Sequence, residues 1–134
     1  MKHLLIILVM LTTLQTKAQN TINYSNVAKT LLQNIIDNKT YKKQVAILEK
    51  STLNDLVNEL KTDKDKIAFW VNIYNAFIQI TLTEDANLFK NRSSFFSDER
   101  VKIAGELLSF DDIEHGILRK STAKLSLGYL QKPF

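Results

Sequence analysis

Apolar positions recur with helical spacing through most of the chain. Val27, Leu31, Leu32, Ile35 and Ile36 form one stripe, and Ser25 stands where a cap would open a helix over roughly 26–37. Val45, Ile47 and Leu48 mark a second helix within Tyr41–Lys50. Leu53, Leu56, Val57 and Leu60 share a face of a third, capped by Ser51 or Thr52. Thr62 and Asp65 make a capping-box pattern ahead of the longest helix, roughly 63–82. Residues 83–99 are polar and irregular, apart from Leu88, Phe89, Phe95 and Phe96. Val101 and Ile103 then alternate with polar neighbours, which predicts two short strands around Ala104-Gly105-Glu106. Ser109 and Asp112 repeat the capping-box pattern before a helix at about 110–119, and the last fifteen residues show no clear period. The expected fold class is mainly α with a small β-hairpin (α+β).

Two helices break their own patterns. From Lys66 to Ile80 the long helix is apolar on almost every side, apart from Asn72, Asn75 and Gln79. At about 100° per residue these three amides fall within about 60° of one another, around Ala68. Such a stripe is either the only wet edge of a buried helix or a line of internal polar contact. Trp70 and Phe77 read as core. In the last helix Phe110, Ile113, Ile117 and Leu118 form the apolar face, and Glu114 projects into it, whereas Asp111, Asp112 and Arg119 project away. A carboxylate in that position must find a partner or take up a proton. Asn72 and Asn75 are the candidate donors, together with a cation not located by the sequence. His115 lies one turn after Asp111, close enough for that acid to hold its imidazole. Glu114 and His115 are thus the weak catalytic candidates, as general acid and base. The wider candidate polar network is Asn72, Asn75, Gln79, Glu114, His115 and Arg119. A structural network locking the two helices together explains the same residues. Gly116 in mid-helix costs about 1 kcal/mol against alanine and suggests a close backbone approach.

Composition removes several function classes. The chain has 134 residues, 18 Lys+Arg against 14 Asp+Glu, one proline, three glycines and no cysteine. That size allows one small domain. Without cysteine there is no disulfide, thiolate zinc site or thiol nucleophile in these residues. Gly105, Gly116 and Gly128 stand alone, so no phosphate loop is present, and the only histidines are His3 and His115, which leaves no metal site to name. No cofactor is implied.

The first 18 residues carry a different message. Lys2 and His3 precede the apolar run Leu4–Leu14, and Thr16 and Ala18 are small residues before an expected cut between Ala18 and Gln19. Eleven residues of helix span only about 16 Å, roughly half a hydrocarbon core, so a cleaved export signal fits better than an anchor. The expectation is a secreted or periplasmic protein with no membrane segment after cleavage. Setting residues 1–18 aside removes Lys2 and Lys17, leaving 16 bases and 14 acids, a net charge of +2. No basic run interleaved with aromatics remains, which argues against nucleic acid; no other partner and no oligomeric state is indicated.

Two strings resemble a known family. Ile67-Ala68-Phe69-Trp70-Val71-Asn72-Ile73-Tyr74-Asn75-Ala76 resembles the A-F-W-x-N-x-Y-N-A signature of the domain of unknown function 547. Leu108 to Arg119 resembles its second signature, a short strand leading into D-D-I-E-H-x-I-L-R, here carried by Asp112, Ile113, Glu114, His115, Leu118 and Arg119. The resemblance spans roughly Tyr41 to Arg119 and implies an exported bacterial protein of uncharacterised activity. Family members continue into an R-I-H-F-A-L-x-C-G segment and a further Cys-Pro, which this sequence lacks. The expected organisation is a signal at 1–18, an N-terminal helical segment at 19–40 and a family-like domain at 41–134, incomplete at its C-terminus. Two functions fit. One is an exported structural or binding module. The other is a hydrolase or acyl-transferase resembling cysteine-peptidase or transglutaminase folds, inactive in this form because its nucleophile is missing.

Overall fold

The computed structural model describes residues 22–119. The expected signal, its expected cut between Ala18 and Gln19 and the final fifteen residues lie outside that range. Five α-helices come first in chain order: α1 (Tyr24–Ile36), α2 (Lys42–Lys50), α3 (Leu53–Glu59), α4 (Asp63–Glu84) and, after a 3₁₀ turn at Ala86–Lys90, α5 (Arg92–Ser97). A hairpin of β1 (Val101–Ile103) and β2 (Glu106–Leu108) follows, then a π-helical segment, Asp112–Leu118. The fold is therefore mainly α with one two-stranded antiparallel hairpin, as the periodicities predict.

Local chemistry sets most of the boundaries. Thr62 accepts from the Asp65 amide at 3.1 Å while the Asp65 carboxylate accepts from the Thr62 amide at 3.2 Å, so a full capping box opens α4. Thr52 and Asp55 do the same for α3. The cap of α1 is Asn23 rather than Ser25: its Oδ1 accepts from the Asn26 amide at 2.6 Å. That start lets Tyr24 turn into the core. At the other end Asn38 takes a left-handed φ of 55°. The Lys39 amide can then return to the Asn34 carbonyl at 2.7 Å and the Asn38 amide to Ile35 at 3.1 Å, which stops the helix.

α4, about 33 Å long at 1.5 Å per residue, is the spine. Its Phe69, Trp70, Ile73 and Ala76 have no exposed surface, and α1 lies along it through Ala28 and Leu31, also fully buried. Burying each large side chain is worth roughly 1.5–3 kcal/mol, so this pair contributes a large part of the core.

Residues 83–99 depart from the expected irregular stretch. They form the 3₁₀ turn and α5, which direct Phe89, Phe95 and Phe96 at one another and at Phe110. Phe95 stacks on Phe110 at 5.2 Å between ring centres. Six residues are too few to reveal a helical period, and only the aromatic density marked the site.

The hairpin turns on two residues, not three. Ala104 and Gly105 have φ of 54° and 80°, the pair of positive values that suits the strand twist, and Glu106 already belongs to β2 opposite Ile103. The Ala104 amide donates to the Leu48 carbonyl at 3.2 Å, tying the hairpin to the end of α2.

Candidate functional site

The expected carboxylate in an apolar face is present. Glu114 sits on the π-helical segment, which packs against α4, with its side chain 31% exposed. One partner is a cation, as expected, and the other is not among the expected amides. Tyr74 on α4 donates its hydroxyl to Oε2 at 2.8 Å, and Arg119 donates from Nη2 to Oε1 at 2.7 Å. Asn72 and Asn75 are not the donors. Asn75 is exposed and gives its amide hydrogen to the Val71 carbonyl one turn back, at 2.9 Å; Asn72 is half-buried and Gln79 exposed.

The π geometry lets the exposed Arg119 reach Glu114. On an α-helix, residues five apart are separated by roughly 140°. Here the Arg119 amide donates to the Glu114 carbonyl at 2.9 Å, five residues back, so the two side chains rise from nearly the same side of a wider turn. Gly116 is buried within this turn. Ser109 and Asp112 form the expected capping box just ahead of it, with the Ser109 amide donating to Asp112 Oδ2 at 2.9 Å and the Asp112 amide to Ser109 Oγ at 3.0 Å.

Burial and the Glu114 carboxylate together push the Tyr74 phenol up to about 12, burial being the larger cause. Its hydroxyl is therefore a fixed donor at neutral pH and no base. Tyr74 also meets Phe110 edge to face at 5.9 Å, so one side chain joins the polar contact to the aromatic cluster. Phe69, Trp70 and Ile113 are wholly buried and act as core, while Leu118 packs at its margin. His115 is exposed, and its Nε2 lies 3.7 Å from Asp111 Oδ1, a distance at which charges attract but no hydrogen bond forms.

Glu114 and Arg119 are thus brought together, with Tyr74 added. His115 faces solvent beside Asp111, and Asn75 and Gln79 face it from α4. Sequence reasoning placed Tyr74 in a motif but gave it no role. The available signal was a polar-tipped aromatic inside an apolar stretch, which usually finds a partner when buried. Among the described residues no three His, Asp or Glu side chains converge at metal-binding spacing, and no helix is long and apolar enough to cross a membrane.

A separate cleft of about 440 Å³ lies between α2, the C-terminal half of α4, the 3₁₀ turn and Arg100. Phe77 and Ile80 are buried on its wall, and Lys42, Glu49 and Glu84 are exposed around it. None of the candidate residues found from the sequence lines it.

A family model described as a protein of unknown function, DUF547, matches residues 57–133. That range holds both signature strings and the whole Tyr74–Glu114–Arg119 contact. No curated protein and no solved structure matches the chain.

Proposed function

The chain belongs to the DUF547 family, whose model covers more than half of its length, and on that premise we propose that it is an exported structural or binding module with no catalytic chemistry in these residues. The observation that carries this reading is the engagement of Glu114. Both of its oxygens hold donors, Tyr74 at 2.8 Å and Arg119 at 2.7 Å. A general acid or base must exchange its proton with a substrate, and a carboxylate clasped in this way is better suited to fixing two helices. His115, the other candidate, is exposed with a loose neighbour in Asp111, and the sequence holds no cysteine to supply a thiol nucleophile.

Export rests on the N-terminal pattern: a charged start, a short apolar run and small residues at Thr16 and Ala18. The proposed product is a secreted or periplasmic protein beginning at Gln19.

Two measurements test the reading. Intact mass of the exported product should lack residues 1–18, and full-length protein retained inside the cell would overturn export. The purified chain should show no ester or amide hydrolysis that depends on His115. Turnover lost in His115→Ala would overturn the module reading.

A further inference from the structure

The cleft beside α2 has the size and lining of a small-molecule site, and it is distinct from the Glu114 contact. Its volume, about 440 Å³, falls within the range of about 300–1,000 Å³ usual for small-molecule pockets. Val45, Ala46, Phe77, Ile80 and Leu88 supply an apolar lining. Charges of both signs surround it: Lys42 and Arg100 against Glu49 and Glu84.

Two facts make these charges informative. First, among the described residues Lys42, Glu49 and Glu84 have neither an ion pair nor a side-chain hydrogen bond, so opposite charges border one cleft without being spent on each other. Second, Arg100 is held in place by Asp98, which accepts from its Nη2 at 2.6 Å, while its Nε–H is buried with no acceptor. Arg100 lines the cleft, and a guanidinium already held by Asp98 loses little freedom in meeting a carboxylate there. A ligand carrying only one sign of charge would be attracted by half of this rim and repelled by the other half.

We propose that the cleft binds a free amino acid or short peptide in its zwitterionic form, with the carboxylate toward Arg100 and Lys42, the ammonium toward Glu49 and Glu84, and an apolar side chain against Phe77 and Ile80. The proposal rests on the binding-module reading and gives it a ligand class. Five of the lining residues, Tyr41, Lys42, Val45, Ala46 and Glu49, precede the family-matched range that begins at residue 57, so the site belongs to this chain's own N-terminal half as much as to the family region.

The test is a titration of the isotope-labelled mature chain with leucyl-phenylalanine, and with its acetylated, amidated form, which has no terminal charge. The dipeptide should shift the Ala46, Thr81 and Leu88 amides saturably, and the capped form should bind about tenfold more weakly. Lys42→Gln and Glu84→Gln should each weaken dipeptide binding roughly two- to fivefold, the usual worth of an exposed ion pair. Ala46→Trp should block binding while the thermal midpoint is kept. Should that variant fail to fold, Glu49→Lys, a surface change, should weaken binding by a similar factor to Glu84→Gln. The proposal is overturned by no saturable shift at the cleft, by equal binding of the capped form, or by shifts centred on Tyr74 and Glu114. Failure of the dipeptide leaves the module reading standing, because that reading falls to His115-dependent turnover.

Discussion

Replacing Tyr74 by phenylalanine removes one oxygen and little else. The ring keeps its edge contact with Phe110 at 5.9 Å, so packing is preserved and the change isolates the 2.8 Å bond to Glu114. A hydrogen bond to a charged group contributes about 1.5–3 kcal/mol. Glu114 is 31% exposed and keeps Arg119, so water replaces part of the loss. The expected cost of Tyr74→Phe is therefore about 1–2 kcal/mol, read as a lower urea midpoint with an unchanged slope.

The pH dependence gives a second handle on the same bond. In the fold the phenol is pushed from 10.0 up to about 12 by burial first and by Glu114 second. A group whose folded pKa is raised stabilises fully below its unfolded value and loses that contribution as pH climbs through the folded one. The gap between wild type and Tyr74→Phe should thus be constant below pH 10 and close between pH 10 and 12. An unchanged midpoint at neutral pH would refute the clasp as a source of stability. A gap that persisted above pH 12 would show that it does not arise from the phenol.

Other perturbations address other links. Ala104→Gly should raise the unfolding free energy by about 0.5–1 kcal/mol, read as a higher urea midpoint, because Ala104 occupies a left-handed φ of 54° that glycine adopts without strain. Phe95→Ala should cost about 3–5 kcal/mol, since Phe95 has no exposed surface and touches Phe89, Phe96 and Phe110; a loss below 1 kcal/mol would mean that the aromatic cluster is loose. Burial raises the Glu59 carboxyl above 4.5, although the Ser25 and Tyr24 amides at the start of α1 pull it down. The charged form therefore burdens the fold at neutral pH, and Glu59→Gln should be neutral or stabilising at pH 7 relative to wild type, with any advantage gone below pH 4.5. A clear loss at pH 7 would show that those amides depend on the charge.

The parts legible in the sequence are those fixed by neighbours in the chain. Thr62 with Asp65 and Ser109 with Asp112 announce helix starts because a cap is settled within four residues. Glu114 was visible as a misfit for the same reason: Phe110, Ile113 and Leu118 define its face locally. Its partner was not visible. Tyr74 lies forty residues away, and the choice between its hydroxyl and the nearby amides depends on how α4 is rotated against the π turn. Arg119 keeps its exposed position, and its reach to Glu114 was hidden because a 100° step per residue does not hold where the turn widens. The cleft escaped entirely, since Lys42, Glu84 and Arg100 become neighbours only once α2, α4 and the hairpin have docked.

The Ala104 amide that reaches Leu48 joins a residue inside the matched range to one outside it. Leu31 and Leu48, fully enclosed, also precede residue 57. What is inherited as a recognisable stretch is thus narrower than what folds. Cutting the gene at the family boundary would strip α1 and α2, with the enclosed Ala28, Leu31 and Leu48, and open the side of the spine that α1 packs against. An expression plan should therefore be drawn from the core outward, beginning at or before Asn23, and not from the limits of the family.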